Sequence, residues 1–281
     1  MNPTTTALRA GLRRGLIELR QSFTGAALLG QLFWPAVTLV AIFFLRDRSF
    51  GASGFDVGTL VLPSVLGMFI AFGMLLVIQY LAAEREDGTL LRAKATPNGI
   101  RGYLTGKLVT VSGTILAYLA ILLIGGLSIV HGLDLGGIGS WLTLAWVLAL
   151  GLVATQSIGA VLGSLISTPR GAGYMSLPVM GMIAISGIFY PITSLPHWLQ
   201  WVAQIFPMYW LGLGMRSALL PVSAAGVEIG DSWRHLETIG VLGAWAALGV
   251  IVAPIVLRRM ARRESGSSVA ARRGKALQRL R

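Results

Sequence analysis

The chain contains no cysteine, so it has no disulfide framework, no thiolate nucleophile and no cysteine metal site. Acidic residues number only 11 in 281. The histidines, His131, His197 and His235, lie far apart with no paired carboxylates at ligand spacing, so no metal site is expected. Charged residues make up 12% of the chain, whereas a soluble domain carries about 25%.

Uninterrupted apolar sequence is what the chain has in excess. The hydrophobic fraction is 54% and the mean hydropathy +0.73. Runs free of Asp, Glu, Lys and Arg cover 21–45, 57–83, 108–133, 135–169, 171–215 and 238–257. A helix needs about 20 such residues to cross a hydrocarbon core of ~30 Å. The pattern predicts an all-α integral membrane protein with six transmembrane helices, at roughly 25–45, 59–82, 105–130, 140–166, 172–190 and 237–257. The first run is too long for a signal-peptide core and has no small-x-small cleavage site after it, so no cleaved leader is expected.

Basic residues set the expected orientation. The segments 1–24, 83–107, 167–171 and 258–281 hold 19 of the 23 Lys and Arg. The positive-inside rule then predicts two cytoplasmic termini, which six spans satisfy. In a soluble protein a net charge of +12 would suggest nucleic acid. Here it flanks spans, so membrane lipid headgroups are the expected partners and nucleic acid is not.

Residues 198–220 are apolar enough to suggest a seventh span, but that crossing would put the basic C-terminus outside. Pro191, Pro196 and Pro207 also interrupt any continuous helix there. The expectation is a long outer segment, 191–236, with short re-entrant helices and with Trp198, Trp201, Tyr209 and Trp210 at headgroup depth. An ordinary structured loop is the alternative. Within 1–24, Leu8, Leu12, Leu16 and Leu19 share a helical face with Arg9, Arg13 and Arg20 beside it, as in a cytoplasmic interfacial helix. Residues 25–257 form the expected six-span transmembrane domain. Residues 258–281 are a basic cytoplasmic tail, either a topology anchor or a contact for anionic lipid.

No Asp or Glu falls in the interior of an expected span, Glu237 standing at the first position of the last one, which disfavours proton-coupled transport. The GASG at 51–54 is similar to the GxSG of rhomboid-like intramembrane serine proteases, with Ser53 as nucleophile and His235 as base. Those enzymes need the serine inside the membrane, whereas Ser53 sits in a polar stretch between spans. The protease is kept as the alternative of a different class. GYLTGKL at 102–108 departs from a phosphate-binding loop, with Arg101 in place of the first glycine and Leu108 in place of the Ser/Thr that holds magnesium. Neither ATP nor magnesium is expected on this chain.

The inner stretch AEREDGTLLRAKATPNGIRGYL (83–104) is dense in both charges. Its acids Glu84, Glu86 and Asp87 are expected to cap or begin a short helix. Glu84, Arg85, Glu86, Gly88 and Thr89, followed by Ala95, Thr96, Pro97, Gly106 and Lys107, resemble the first cytoplasmic loop of ABC type-2 exporter permeases. A second match is Ser186, Gly187, Phe189, Pro191, Leu195, Pro196, Pro207 and Arg216, similar to that family's signature before the last span. Tyr209 and Trp210 are bulkier than in many relatives.

The resemblance implies a permease subunit, not itself an enzyme, in the plasma membrane of a prokaryote. Two copies of a separate ABC ATPase, carrying ATP and Mg, would dock on an inner loop formed by Glu84, Arg85, Glu86, Asp87, Gly88, Thr89, Arg92 and Pro97. A second permease chain, identical or different, would complete the path. The implied cargo is a hydrophobic drug, natural product or lipid moved outward; a lipid-linked glycan or polysaccharide is the alternative within the same machine. By the same resemblance the second and fifth spans face the cargo. Met68, Phe69, Phe72, Met175, Met182 and Phe189 are the candidate lining residues there, being adaptable or aromatic side chains.

Overall fold

The computed structural model describes residues 3–47, 57–263 and 265–267, and among these there is no strand. Ten α-helices carry the fold among the described residues: α1 (Pro3–Ser22), α2 (Ala26–Leu45), α3 (Val57–Glu86), α4 (Thr89–Lys94), α5 (Gly99–Ile129), α6 (Ile138–Leu165), α7 (Pro169–Ile185), α8 (His197–Ile205), α9 (Pro207–Leu219) and α10 (His235–Arg263). The all-α membrane class is as expected. Among the described residues five helices, α2, α3, α5, α6 and α10, are long and apolar enough to cross a bilayer. The sixth expected span is α7, which at 17 residues reaches only ~26 Å.

The central helix is α3, 30 residues and so ~45 Å long. Its Leu62, Leu66, Ile70, Met74, Ile78 and Leu81 form one buried ridge at helical spacing. The facing stripe of α6 is small: Gly151, Thr155, Gly159 and Gly163. A methyl group on Gly159 would strike the backbone of Met74, and one on Gly163 would lie 3.1 Å from the Ile78 Cα. Such stripes let membrane helices approach closely, where no hydrophobic force draws them together. Thr155 Oγ1 donates to the Ile70 carbonyl at 3.2 Å and to its own Gly151 carbonyl at 2.8 Å. Gln156, buried within α6, donates through Nε2 to Ser112 Oγ on α5 at 2.8 Å.

Helix ends are built from local chemistry. Thr168 caps α7 by accepting from Gly171 N at 3.2 Å, and Pro169 occupies the first helical position. The end of α7 turns through Gly187 at φ +69, a conformation that glycine tolerates best. Peripheral α2 leaves Leu29, Phe33, Trp34 and Phe44 exposed, as a lipid-facing helix requires.

The outer segment corrects one expectation. Trp198 and Trp201 of α8 are exposed, but Tyr209 and Trp210 are buried inside the bundle and do not sit at an interface. The reason is that α9 is apolar all round, which marks a buried helix. Gly212 packs on Ile188 and Gly214 on Val147.

A second correction concerns the acidic turn. Glu84 and Glu86 finish α3 and do not start a helix. Gly88, at φ +77, ends the run, and Asp87 alone serves the start of α4, accepting from Thr89 N at 2.8 Å.

Candidate coupling and cargo sites

The α3–α4–α5 turn is short and heavily fixed. Leu90 is buried and anchors α4 to the bundle. Arg92 donates to Thr89 Oγ1 at 2.9 Å, and Thr96 Oγ1 to the Ala93 carbonyl at 2.9 Å. Asn98 adopts φ +54 just before α5. Gly99 has no room for a side chain, because any Cβ would overlap the Ala93 carbonyl and Thr96 Oγ1.

Several candidate coupling residues point inward. Arg85 Nη1 donates to the carbonyls of Ser164 at 3.0 Å and Ile166 at 2.6 Å, a cation closing the C-terminus of α6. Lys94 Nζ donates to the Arg262 carbonyl at 3.3 Å, doing the same for α10. Glu84 Oε1 lies 2.5 Å from Lys107 Nζ and 3.9 Å from Arg14 Nη2. Glu86 is half-buried. Asp87, Arg92, Thr96 and Pro97 face outward, and Gly88 holds the turn.

Lys107 is the centre of a network missed from sequence. Besides Glu84 it pairs with Glu18 of α1 at 2.6 Å, and Glu18 accepts from Arg14 Nε at 2.8 Å. The Lys107 ammonium also lies 4.6 Å from the centre of the Tyr80 ring. Burial alone would push the Glu18 carboxyl up, but hydrogen bonds from Lys107 and Arg14 outweigh it and hold it below the ordinary glutamate range. A depressed carboxyl contributes attachment above that range and loses it as pH falls through its own lower value. Protection of the α1 backbone amides from hydrogen exchange, corrected for the intrinsic pH dependence of exchange, is expected to fall only below the ordinary glutamate range. A loss of protection between pH 7 and 5 would contradict this.

The same helix meets α5 through glycine. Gly11 and Gly15 of α1 lie on Gly102 and Gly106 of α5, so that a Cβ on Gly11 would overlap the Gly102 carbonyl. Thr110 Oγ1 donates across the contact to the Gly15 carbonyl at 3.2 Å. The Gly102–Gly106 pair visible in the sequence therefore seats α1. Between α1, α4 and the start of α5 lies an open groove of about 600 Å³, with Arg14, Arg92, Thr96, Pro97 and Tyr103 among its lining residues.

The candidate cargo residues do not share one wall. Phe69 and Phe72 lie together, ring centres 5.7 Å apart, and Phe69 also meets Tyr118 of α5 at 5.7 Å. Tyr118 in turn hydrogen-bonds the Gln31 side chain of α2. Met68 and Met175 pack partly buried against the core. Met182 borders an apolar cavity of about 330 Å³ with Met74, Met208, Phe206 and Trp245. Phe189 borders a different cavity, of about 40 Å³, beside Arg216 and Glu228.

The signature residues fix the turn after α7. Ser186 Oγ donates to the Ile183 carbonyl at 2.7 Å and accepts from Ile188 N at 3.3 Å. Pro191 and Pro196 precede a 3₁₀ turn and α8 respectively, and Pro207 opens α9. Arg216 is buried and paired with Glu228 at 2.8 Å. By sequence alone Glu228 belongs to an outer loop, and nothing local marks it as a partner for Arg216. Of the protease pair, Ser53 lies outside the described residues, and His235 packs edge-on to Trp146 at 6.4 Å.

Residues 48–255, most of the chain, match the model of the family described as ABC-2 family transporter protein. The chain belongs to that family. No match was found among curated proteins. As an ABC-2 family protein with several membrane-crossing helices, it is a multi-pass membrane transport subunit of the kind that works with ATP-binding-cassette partners. The matched region takes in the coupling turn, the buried α9 and both cavities.

Proposed function

We propose that this ABC-2 permease exports a hydrophobic drug, natural product or lipid, driven by two copies of a separate ATPase docked at the α4 turn. Both termini are then cytoplasmic, in a prokaryotic plasma membrane. ATP and Mg sit on the ATPase, and a second permease chain completes the path. The observation that carries the reading is α4 itself. It is a six-residue helix clamped between two long helices, with Arg92, Thr96 and Pro97 exposed beside the α1 groove. Because Leu90 and the α3 and α5 ends hold it rigidly, a push on α4 moves those helices rather than the turn alone. Apolar cargo is favoured because the 330 Å³ cavity is lined almost wholly by carbon and sulfur.

Arg92→Glu tests the docking. Arg92 is exposed, so insertion and thermal stability are expected to stay unchanged. Opposite charge at an interface alters register and encounter, and ATPase association is expected to fall about tenfold with export lost in parallel. Normal co-purification of the ATPase with full export in vesicles would exclude α4 as the docking element.

A further inference from the structure

Arg216 and Glu228 sit at the end of the bundle opposite α1 and α4, and their chemistry is incomplete. The arginine side chain is 5% exposed and the glutamate side chain is fully buried. Arg216 Nη1 donates to the carbonyls of Gly187 at 3.2 Å and Ile188 at 2.9 Å, the turn that ends α7. Its Nε faces Glu228 Oε1 at 2.8 Å, but the contact is coulombic and not an aligned hydrogen bond. Arg216 Nη2 and Glu228 Oε2 have no hydrogen-bond partner. Both residues border the 40 Å³ cavity, whose other walls are Leu60, Val61 and Ser64 of α3 and Phe189 at the α7 turn. Thr193 Oγ1 donates to the Val227 carbonyl at 3.2 Å, tying the segment that carries Glu228 to the residues after α7.

A buried ion pair of this kind is weak evidence of a need for stability, because apolar side chains of similar volume hold such sites as well or better. What it does provide is a difference between two states. Closed, the pair leaves four of its polar atoms without a hydrogen bond, Nε and Nη2 of Arg216 and both oxygens of Glu228; opened to water, all of them are satisfied. It also ties the end of α7 to the Glu228 segment across a cavity walled by the start of α3; α3 and α7 are the spans that face cargo in the proposed exporter.

We propose that Arg216 and Glu228 form the latch of an outer gate: paired and shut as seen, parted and open to the outside when cargo leaves. Arg216 is the positioning residue that makes the α7 turn, α9 and the Glu228 segment move together. The inference rests on the exporter reading for its direction, but the latch can be tested without ATPase or cargo.

Because the chain has no cysteine, Ser64→Cys supplies a single reporter in the cavity wall. In lipid vesicles it is labelled with a small, membrane-impermeant thiosulfonate. Glu228→Gln leaves the guanidinium unpaired, and labelling is expected to rise by at least about tenfold, since stranding a buried charge outweighs one decade of equilibrium. Arg216→Met with Glu228→Leu is expected to label no faster than Glu228→Gln, to melt above Glu228→Gln though the Gly187 and Ile188 carbonyls lose their donor, and to lose export.

A double variant that melts normally and exports at the parent rate would reduce the pair to a packing role and overturn the latch. Parent-rate labelling in Glu228→Gln would overturn it as well. If labelling behaves as expected while the reconstituted parent moves no cargo, the exporter reading fails and the latch stands.

Discussion

Lys107→Met is expected to release α1 from the bundle and to destabilise the fold by about 3–5 kcal/mol, the cost of stranding buried partners of a lost charge. The lysine side chain is 6% exposed and the two carboxylates facing it, Glu18 and Glu84, are 25% and 12% exposed. Among the described residues no other cation bonds both acids. Arg14 is bonded to Glu18 at 2.8 Å but lies 3.9 Å from Glu84, too far for a hydrogen bond. Without the ammonium, two acids on α1 and α3 face each other in a poorly solvated site, so the loss exceeds that of one contact.

The test is a melting curve together with tryptic cleavage of α1, in the parent, in Lys107→Met, and in the triple variant that adds Glu18→Gln and Glu84→Gln. The triple variant removes the three charges at the centre and leaves only Arg14, whose side chain is 42% exposed and can be solvated, so it should recover most of the melting temperature. If Lys107→Met alone melts like the parent, the network does not hold α1. The same substitution bears on function: α1 and α4 border one groove, so a freed α1 removes one wall of the proposed ATPase seat.

Much of this was legible in the sequence because it is local. Charge-free runs mark long helices, Leu8, Leu12 and Leu16 mark the amphipathic face of α1, and Thr168-Pro169 marks a helix start. The α4 turn was legible as a candidate site, though where its helix begins was misread. Acids at 84 and 86 look like helix openers, but Gly88 decides where the helix stops, and Lys107 supports Glu84 at the unfavourable end of the dipole.

What stayed hidden is non-local. Lys107 lies 89 residues from Glu18, and no periodicity joins them. Glu228 sits in a stretch of small residues that reads as a surface loop, and only the fold brings Arg216 to it. The burial of α9 did have a signal: Met208 to Leu219 are apolar on every face apart from Arg216 and Ser217, and Gly212 and Gly214 mark close approaches. Reading its aromatics as an interfacial belt gave weight to residue type over the angular distribution. The candidate cargo residues scattered for a related reason. Sequence places Met68, Phe69 and Phe72 on one span but does not say which neighbour each faces, and α5 claims Phe69 through Tyr118.

Gly159→Leu is expected to abolish the folded permease, and here the argument is steric. The glycine lies where α6 crosses α3, and a Cβ there would overlap the Met74 carbonyl and sit 2.9 Å from its Cα. The obstacle is backbone, so no rotamer change relieves it, and the two helices must part. Parting them costs the Thr155–Ile70 bond at 3.2 Å and opens the packing of the buried α3 ridge. Overpacking a well-filled core costs about 1–3 kcal/mol when side chains alone must move; a backbone collision on the central helix exceeds that range. Gly243→Ala on α10 is the control, since nothing lies within 4 Å of its Cβ position, and helix propensity there favours alanine by up to ~1 kcal/mol. Monodisperse elution and melting temperature separate the outcomes: Gly243→Ala at or above the parent, Gly159→Leu aggregated or unfolded. A Gly159→Leu variant that elutes and melts like the parent would mean that α3 and α6 do not touch at this crossing. The buried core that positions both the α4 turn and the Arg216 pair would then be wrongly placed.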